Sequence, residues 1–82
     1  MDMGPEHPGK ILDSLLQKHG WNITQFAGII GVSTSRISEI LSGKRRITVD
    51  TAIRIANALD MTPEYWLNRQ NEFDIYARNL LN

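Results

Sequence analysis

Signals that begin and end α-helices recur at short intervals along this chain of 82 residues. Stretches with helical periodicity end at Gly20, Gly31 and Gly43, and glycine readily takes the left-handed conformation that closes a helix. Residues that favour helix N-caps precede the stretches that follow, at Asn22, Ser33 and Thr48. Strand-like alternation does not persist for more than a few residues. The pattern therefore predicts an all-α fold with short connections.

The periodicity and the caps together predict five helices, over residues 8–19, 22–30, 34–42, 49–59 and 63–80. The last of these begins with a capping threonine, a first-turn proline and a first-turn acid, at Thr62, Pro63 and Glu64. A chain this short forms one small hydrophobic core. We therefore expect a single domain over residues 1–82.

The composition excludes several kinds of chemistry. The chain has no cysteine and two histidines, so disulfides, thiolate metal sites and a cysteine nucleophile are absent. No spacing suggests an acid–base pair or an activated nucleophile. We expect no catalytic residue, no metal and no cofactor, and hence a protein that is not an enzyme. The sequence has no signal peptide and no membrane-spanning run, which predicts a cytoplasmic location.

The formal net charge is zero, but the charges are unevenly distributed. Residues 33–54 hold five basic and two acidic side chains, whereas residues 60–74 hold four acidic and one basic. A basic face and an acidic region on one small domain favour two different partners. Uneven solvation of a charged surface is the alternative explanation.

Residues 22–42 have the spacing of a helix-turn-helix. Ala27 lies where two helices must approach closely, and Gly31, four residues later, permits a sharp turn through positive φ. Ile37 follows ten residues after Ala27 and would pack back across the helix pair. Val32 would fill the gap between the helices. This arrangement is typical of helix-turn-helix proteins, although any tight helical hairpin favours small residues at its corner.

The third predicted helix has an unusual exposed face. Ile37, Ile40 and Leu41 would anchor one side in the core. The opposite side carries Thr34, Ser35, Ser38, Glu39 and Ser42, and its four hydroxyl residues are poorer helix formers than the residues that a solvated helix would favour. Short side chains allow a helix to approach the floor of a major groove about 12 Å wide, where hydroxyls can bond base edges. We therefore predict that this helix contacts double-stranded DNA.

The predicted DNA contacts fall into two groups. Within the helix and at its cap they are Ser33, Thr34, Ser35, Arg36, Ser38 and Glu39. Arg36 would pair with a guanine or a phosphate, and Glu39 would accept from cytosine or exclude other bases. Directly after the helix, phosphate contacts are predicted for Lys44, Arg45 and Arg46. A solvated basic loop is the alternative for this second group.

The fifth helix has more apolar surface than a domain with four other helices needs. Aromatic residues carry much of the energy of protein interfaces, so we predict a dimer interface at Phe73, Tyr76 and Leu80. Burial in the core of the same chain is the alternative, and it is at least equally favoured for Trp66. The acidic side chains Glu64, Glu72 and Asp74 would repel DNA but would suit a basic partner.

Residues 7–76 resemble the antitoxins of HigBA-type toxin–antitoxin systems, which are also called plasmid-maintenance antidote proteins. These are single-domain members of the phage-repressor-like (XRE, Cro/CI-type) helix-turn-helix family. The matching stretches are HPGKIL at 7–12, GVS at 31–33, RISEILSGKR at 36–45, ITVDTA at 47–52 and TPEYWLN at 62–68. The last stretch is the most specific, because generic phage-repressor-like domains do not share it.

The resemblance implies a homodimer that binds a palindromic operator in its own promoter. It also implies that the protein neutralises a HigB-type toxin, a basic, ribosome-dependent mRNA endonuclease of the RelE class. One position departs from the wider family, in which a glutamine early in the second helix often contacts a phosphate. Ile23 stands there in this chain, so that contact is not expected.

Two other functions remain open from the sequence. The chain could be an ordinary transcriptional regulator of the same family with no toxin partner. It could also be a protein-interaction module that uses the helix-turn-helix only as a scaffold. The basic run at 44–46 and the hydroxyl-bearing face of the third helix favour DNA binding over the interaction module.

Overall fold

The computed structural model describes residues 4–81, and residues 1–3 and 82 of the predicted domain lie outside this range. Five helices follow one another along the chain: α1 Pro8–His19, α2 Ile23–Ile30, α3 Thr34–Leu41, α4 Val49–Leu59 and α5 Pro63–Leu81. No β-strand occurs in the described part of the chain. The predicted all-α, five-helix class is confirmed.

Local signals account for the ends of α1. The Nδ1 atom of His7 accepts a hydrogen bond from the Gly9 N–H at 2.9 Å and so caps the helix N-terminus. Pro8 occupies the first helical position, where the missing N–H costs nothing. At the other end Gly20 takes a left-handed conformation, with φ at 72°.

The start of α2 is fixed by a reciprocal pair of hydrogen bonds. The Asn22 side chain accepts from the Gln25 N–H at 2.8 Å, and the Gln25 side chain accepts from the Asn22 N–H at 2.9 Å. Two of the N–H groups that a helix start leaves free are thus satisfied. Gly31, with φ at 75°, ends the helix and begins the turn into α3.

The core lies where α1, α3, α4 and α5 converge. Each helix contributes fully buried apolar side chains to it, including Leu12, Ile40, Ile55 and Trp66, and α2 adds Phe26. The sequence left open whether Trp66 lies in the core or at an interface, and the structure places it in the core. Helix α1 packs against α3 and α5, and α2 packs against α3 and α4. Helix α3 is therefore supported from both sides, with one face left outside.

Helix α4 also holds the end of α2 in place. The guanidinium of Arg54 donates through Nη1 to the carbonyl oxygen of Ile30 at 2.7 Å. That carbonyl belongs to the last turn of α2, where no residue further along the helix can satisfy it.

None of the described helices is both long enough and apolar enough to cross a bilayer.

Candidate nucleic-acid interface

Helix α3 is held in place by a capping hydrogen bond and by the side chains on its buried side. The Ser33 hydroxyl accepts a hydrogen bond from the Arg36 N–H at 3.1 Å, and Ile37 and Ile40 have no exposed surface. Ala27 is buried behind them, as the helix-turn-helix spacing predicts. The anchored side of α3 therefore cannot rotate outward without opening the core.

The opposite side of α3 presents the predicted hydroxyls to solvent. Thr34, Ser35 and Ser38 are exposed, and none of them makes a side-chain hydrogen bond within residues 4–81. The hydroxyl of Ser42, by contrast, donates to the Glu39 carbonyl oxygen at 3.1 Å. The free hydroxyls are thus those of the first two turns of α3.

A shallow recess separates this face from the start of α2. Its lining includes Ser35 and Ser38 from α3 and Ile23 and Thr24 from α2. Thr24 was not predicted as a contact from the sequence, because an isolated threonine near a helix start resembles an ordinary capping residue. The side-chain oxygen of Gln25 accepts from the Asn22 N–H, so only the NH2 group of that side chain remains free to donate.

The loop after α3 is held to the end of that helix by its backbone. The N–H groups of Lys44 and Arg45 both donate to the Glu39 carbonyl oxygen, at 2.8 and 3.2 Å. Gly43 makes this possible with a φ of 81°. The basic side chains therefore start from fixed positions beside α3.

Two of the three basic side chains in this loop are already ion-paired. Arg45 pairs through Nε with a carboxylate oxygen of Glu39 at 2.7 Å, and Arg46 pairs through Nη2 with Asp74 of α5. The sequence predicted Glu39 as a base contact and both arginines as phosphate contacts. Oppositely charged side chains thus meet before any DNA is bound, and the contacts of all three residues with DNA stay predictions. None of the ion pairs in residues 4–81 includes Lys44.

A second recess lies between the loop and the start of α4. It is lined by three arginines, two threonines and one aspartate, namely Arg36, Arg45, Arg46, Thr48, Thr51 and Asp50. The Thr48 hydroxyl bonds Thr51 rather than capping the α4 backbone. Guanidinium and hydroxyl groups in this density suit a phosphate oxygen. Thr48 and Thr51 were not predicted from the sequence as part of the site.

Asp74 is in turn positioned by Gln70, which is almost fully buried. The Gln70 side chain accepts from the Ile47 N–H at 2.8 Å and donates to Asp74 at 2.9 Å. Burial by itself would raise the pKa of Asp74. The hydrogen bonds from Gln70 and Arg46 and the charge of Arg46 outweigh that effect and hold the pKa below its ordinary value.

The predicted interface residues of α5 have different surroundings. Phe73 is half-buried and meets the ring of His7 edge-on, with centroids 5.0 Å apart, so it has a partner within the chain. Tyr76 is half-buried beside Gly4, whereas Leu80 is 67% exposed. Ile75, absent from the prediction, is 56% exposed on the same helix. The apolar surface of α5 thus centres on Ile75, Tyr76 and Leu80, and its role in a dimer stays a prediction.

A bundle of helices in which the pair α2 and α3 meets at a tight glycine turn, with one polar face of α3 exposed beside a basic recess, is typical of a helix-turn-helix protein. The helix-turn-helix family model matches residues 12–66, from α1 into α5. The chain belongs to this family, in its XRE-type branch.

Solved structures of antitoxins are similar to this chain over most of its length. An addiction module antidote protein of a HigA family from Coxiella burnetii is 43% identical, with 89% of this chain and 80% of that chain covered and a TM-score of 0.82. The antitoxin HigA of Pseudomonas aeruginosa, solved with the higBA promoter, is 30% identical, with 95% and 86% covered and a TM-score of 0.91.

Virulence-associated protein A′ of Dichelobacter nodosus is 38% identical over 87% of this chain. The chain spans 63% of the length of that relative. The resemblance to HigA-type antidote proteins is thus confirmed at the level of sequence and fold.

Proposed function

We propose that this protein is a DNA-binding repressor and antitoxin that acts by binding, not by catalysis. The exposed hydroxyl-bearing face of α3, beside a recess of three arginines, is the observation that carries the proposal. Thr34, Ser35 and Ser38 have short side chains with free hydroxyls, so α3 can lie deep in the major groove. The similarity to an antitoxin solved with its promoter supports the same assignment.

The two recesses give the expected order of contacts. Base edges meet Ser35 and Ser38 on α3, with Arg36 at the border between bases and backbone. At the side of the groove, the DNA backbone passes the arginine-lined recess and Lys44. Phosphates bind there whatever the base sequence. This division follows from the lengths of the side chains, because the face that enters the groove carries mainly short ones, with Glu39 as the exception.

We propose further that the protein binds its operator as a homodimer. One recognition helix reads one half-site, so a specific complex needs two copies whose α3 helices are about 34 Å apart. The exposed apolar side chains Ile75 and Leu80, next to Tyr76, provide a surface on α5 for the second copy. A palindromic operator follows from a twofold dimer.

The toxin proposal rests on similarity more than on charge. The antidote protein of Coxiella burnetii supports a partner of the HigB type, a basic mRNA endonuclease. The acidic surface expected for such a partner is smaller than the sequence indicates. Glu72 pairs with Arg69 and Asp74 pairs with Arg46, and of the three predicted carboxylates Glu64 alone lies outside the ion pairs of the described residues.

Selection of binding sites from a random duplex library tests the DNA proposal. We expect a palindromic consensus, and the same sequence in the promoter of the protein's own gene. Recovery of no consensus would contradict the proposal.

For the toxin, the neighbouring reading frame is expressed in bacteria with and without this chain. We expect growth arrest that this chain relieves, and no arrest would favour an ordinary regulator without a toxin.

A further inference from the structure

We propose that Asp74 competes with the DNA backbone for Arg46 and thereby limits the affinity of this protein for DNA. The inference rests on the proposed DNA-binding function, and it adds an intramolecular restraint to it. Asp74 belongs to α5, outside the helix-turn-helix, whereas Arg46 belongs to the loop that follows the recognition helix. The ion pair between them joins these two parts of the fold.

Arg46 lies between two recesses. On one side it lines the arginine-rich recess with Arg36 and Arg45, where a phosphate would bind. On the other side it borders a recess with Asp74 and Arg78 of α5. The Arg46 side chain is 58% exposed, so a phosphate can reach it, but one nitrogen of its guanidinium already faces the Asp74 carboxylate. A phosphate must share the guanidinium with Asp74 or displace it.

Asp74 is a fixed competitor rather than a mobile surface acid. Gln70 is almost fully buried, and its two side-chain bonds connect the Asp74 carboxylate to the Ile47 N–H, one residue after Arg46. The Asp74 carboxylate is therefore tied through Gln70 to the backbone of Ile47, and the guanidinium belongs to the preceding residue, Arg46. The pKa of Asp74 lies below its ordinary value, so the carboxylate is charged at neutral pH.

The charge of Asp74 acts on any phosphate that approaches Arg46. An arginine that remains paired brings almost no net charge to DNA, so it releases few counterions from the duplex. Removal of the carboxylate charge returns about one unit of positive charge to the interface. The logarithm of the binding constant should then fall more steeply with the logarithm of salt concentration, by about 0.9.

The substitution Asp74→Asn tests the inference, because asparagine keeps an oxygen that can accept from Gln70 and loses the charge. Glu72→Gln is the matched control: it makes the same change of net charge on the same helix, at a carboxylate paired with Arg69. Binding to a 30-base-pair duplex of mixed sequence is measured by fluorescence anisotropy from about 50 to 200 mM salt. We expect Asp74→Asn to bind about three- to tenfold more tightly at the lowest salt, and Glu72→Gln less than twofold.

The variant Arg46→Ala shows whether the effect passes through the ion pair. In the Arg46→Ala background, Asp74→Asn should change the affinity less than twofold. In the otherwise native chain, Arg46→Ala should flatten the salt dependence less than Lys44→Ala does, and this comparison holds even if Asp74→Asn fails to fold. Equal effects of Asp74→Asn and Glu72→Gln on a chain that binds duplexes would overturn the inference alone. No binding by the native chain, to mixed or selected duplexes, would contradict the proposed function as well.

Discussion

Gly9 of α1 lies directly against the carbonyl oxygen of Ile40 in α3, so close that a Cβ on residue 9 would overlap that oxygen. This contact sets the distance between α1 and the recognition helix. Because Ile40 also fills the core, the backbone of α3 has no free space in which to retreat. The position of the hydroxyl-bearing face of α3 therefore depends on Gly9, which packs against the opposite side of that helix.

The substitution Gly9→Ala should destabilise the fold by about 1–3 kcal/mol, because α1 and α3 must separate to admit the methyl group. Gly28→Ala is the matched control, since that position has an ordinary helical conformation and open space around it. It should stabilise α2 by about 0.5–1 kcal/mol. Urea unfolding followed by circular dichroism measures both, and equal effects would contradict the close contact at Gly9.

His7 should make stability depend on pH. Burial lowers the pKa of His7, and the charge of Asp74 opposes this only in part. The folded chain therefore favours the neutral ring, whose Nδ1 accepts the Gly9 N–H. The stabilisation is fully present above the unfolded pKa of about 6.5, and it is lost as the pH falls through the lower folded-state pKa.

The free energy of unfolding should therefore decrease as the pH falls below about 6.5. In His7→Asn, which keeps a side-chain acceptor for the cap, most of this decrease should disappear. Urea unfolding at a series of pH values measures both chains. An identical pH dependence in the two would show that His7 is not the responsible group.

Much of the fold follows from signals that are local in sequence. The capping pair Asn22–Gln25, the proline at position 8 and the left-handed Gly31 each act within a few residues, so the helix limits were predictable. The pairing of Arg46 with Asp74 was not, because the residues are separated by 28 positions and only the packing of α5 brings them together. The same reason explains why Phe73 was predicted as an interface residue without its contact to His7.

Base contacts and phosphate contacts should respond differently to substitution. Arg36→Ala and Ser38→Ala should each weaken binding to a selected operator by about 1–3 kcal/mol and relax the preference at one or two positions. Lys44→Ala should weaken binding to all duplexes alike and flatten the salt dependence by about 1. Competition gel shifts with operator and mixed-sequence duplexes separate the two classes. Uniform effects of all three variants would contradict the division.

The apolar surface of α5 should be needed for a dimer. Ile75→Lys and Leu80→Lys each place a charge where the second copy is proposed to pack, and each should weaken the dimer by at least about 1–2 kcal/mol. Ile29→Lys is the control, because Ile29 is 51% exposed on α2. Sedimentation equilibrium gives the association constants. A dimer weakened by Ile29→Lys but not by the α5 variants would place the interface elsewhere.

The insertion of α3 into duplex DNA is tested most directly by nuclear magnetic resonance. A duplex obtained by site selection is added to ¹⁵N-labelled protein, and the shift of each backbone amide is followed. The largest changes are expected at Thr34, Ser35 and Ser38, with smaller ones at Lys44 and in the first turn of α4. Amide shifts confined to α5 or to the exposed side of α1, with α3 unchanged, would contradict the proposed function.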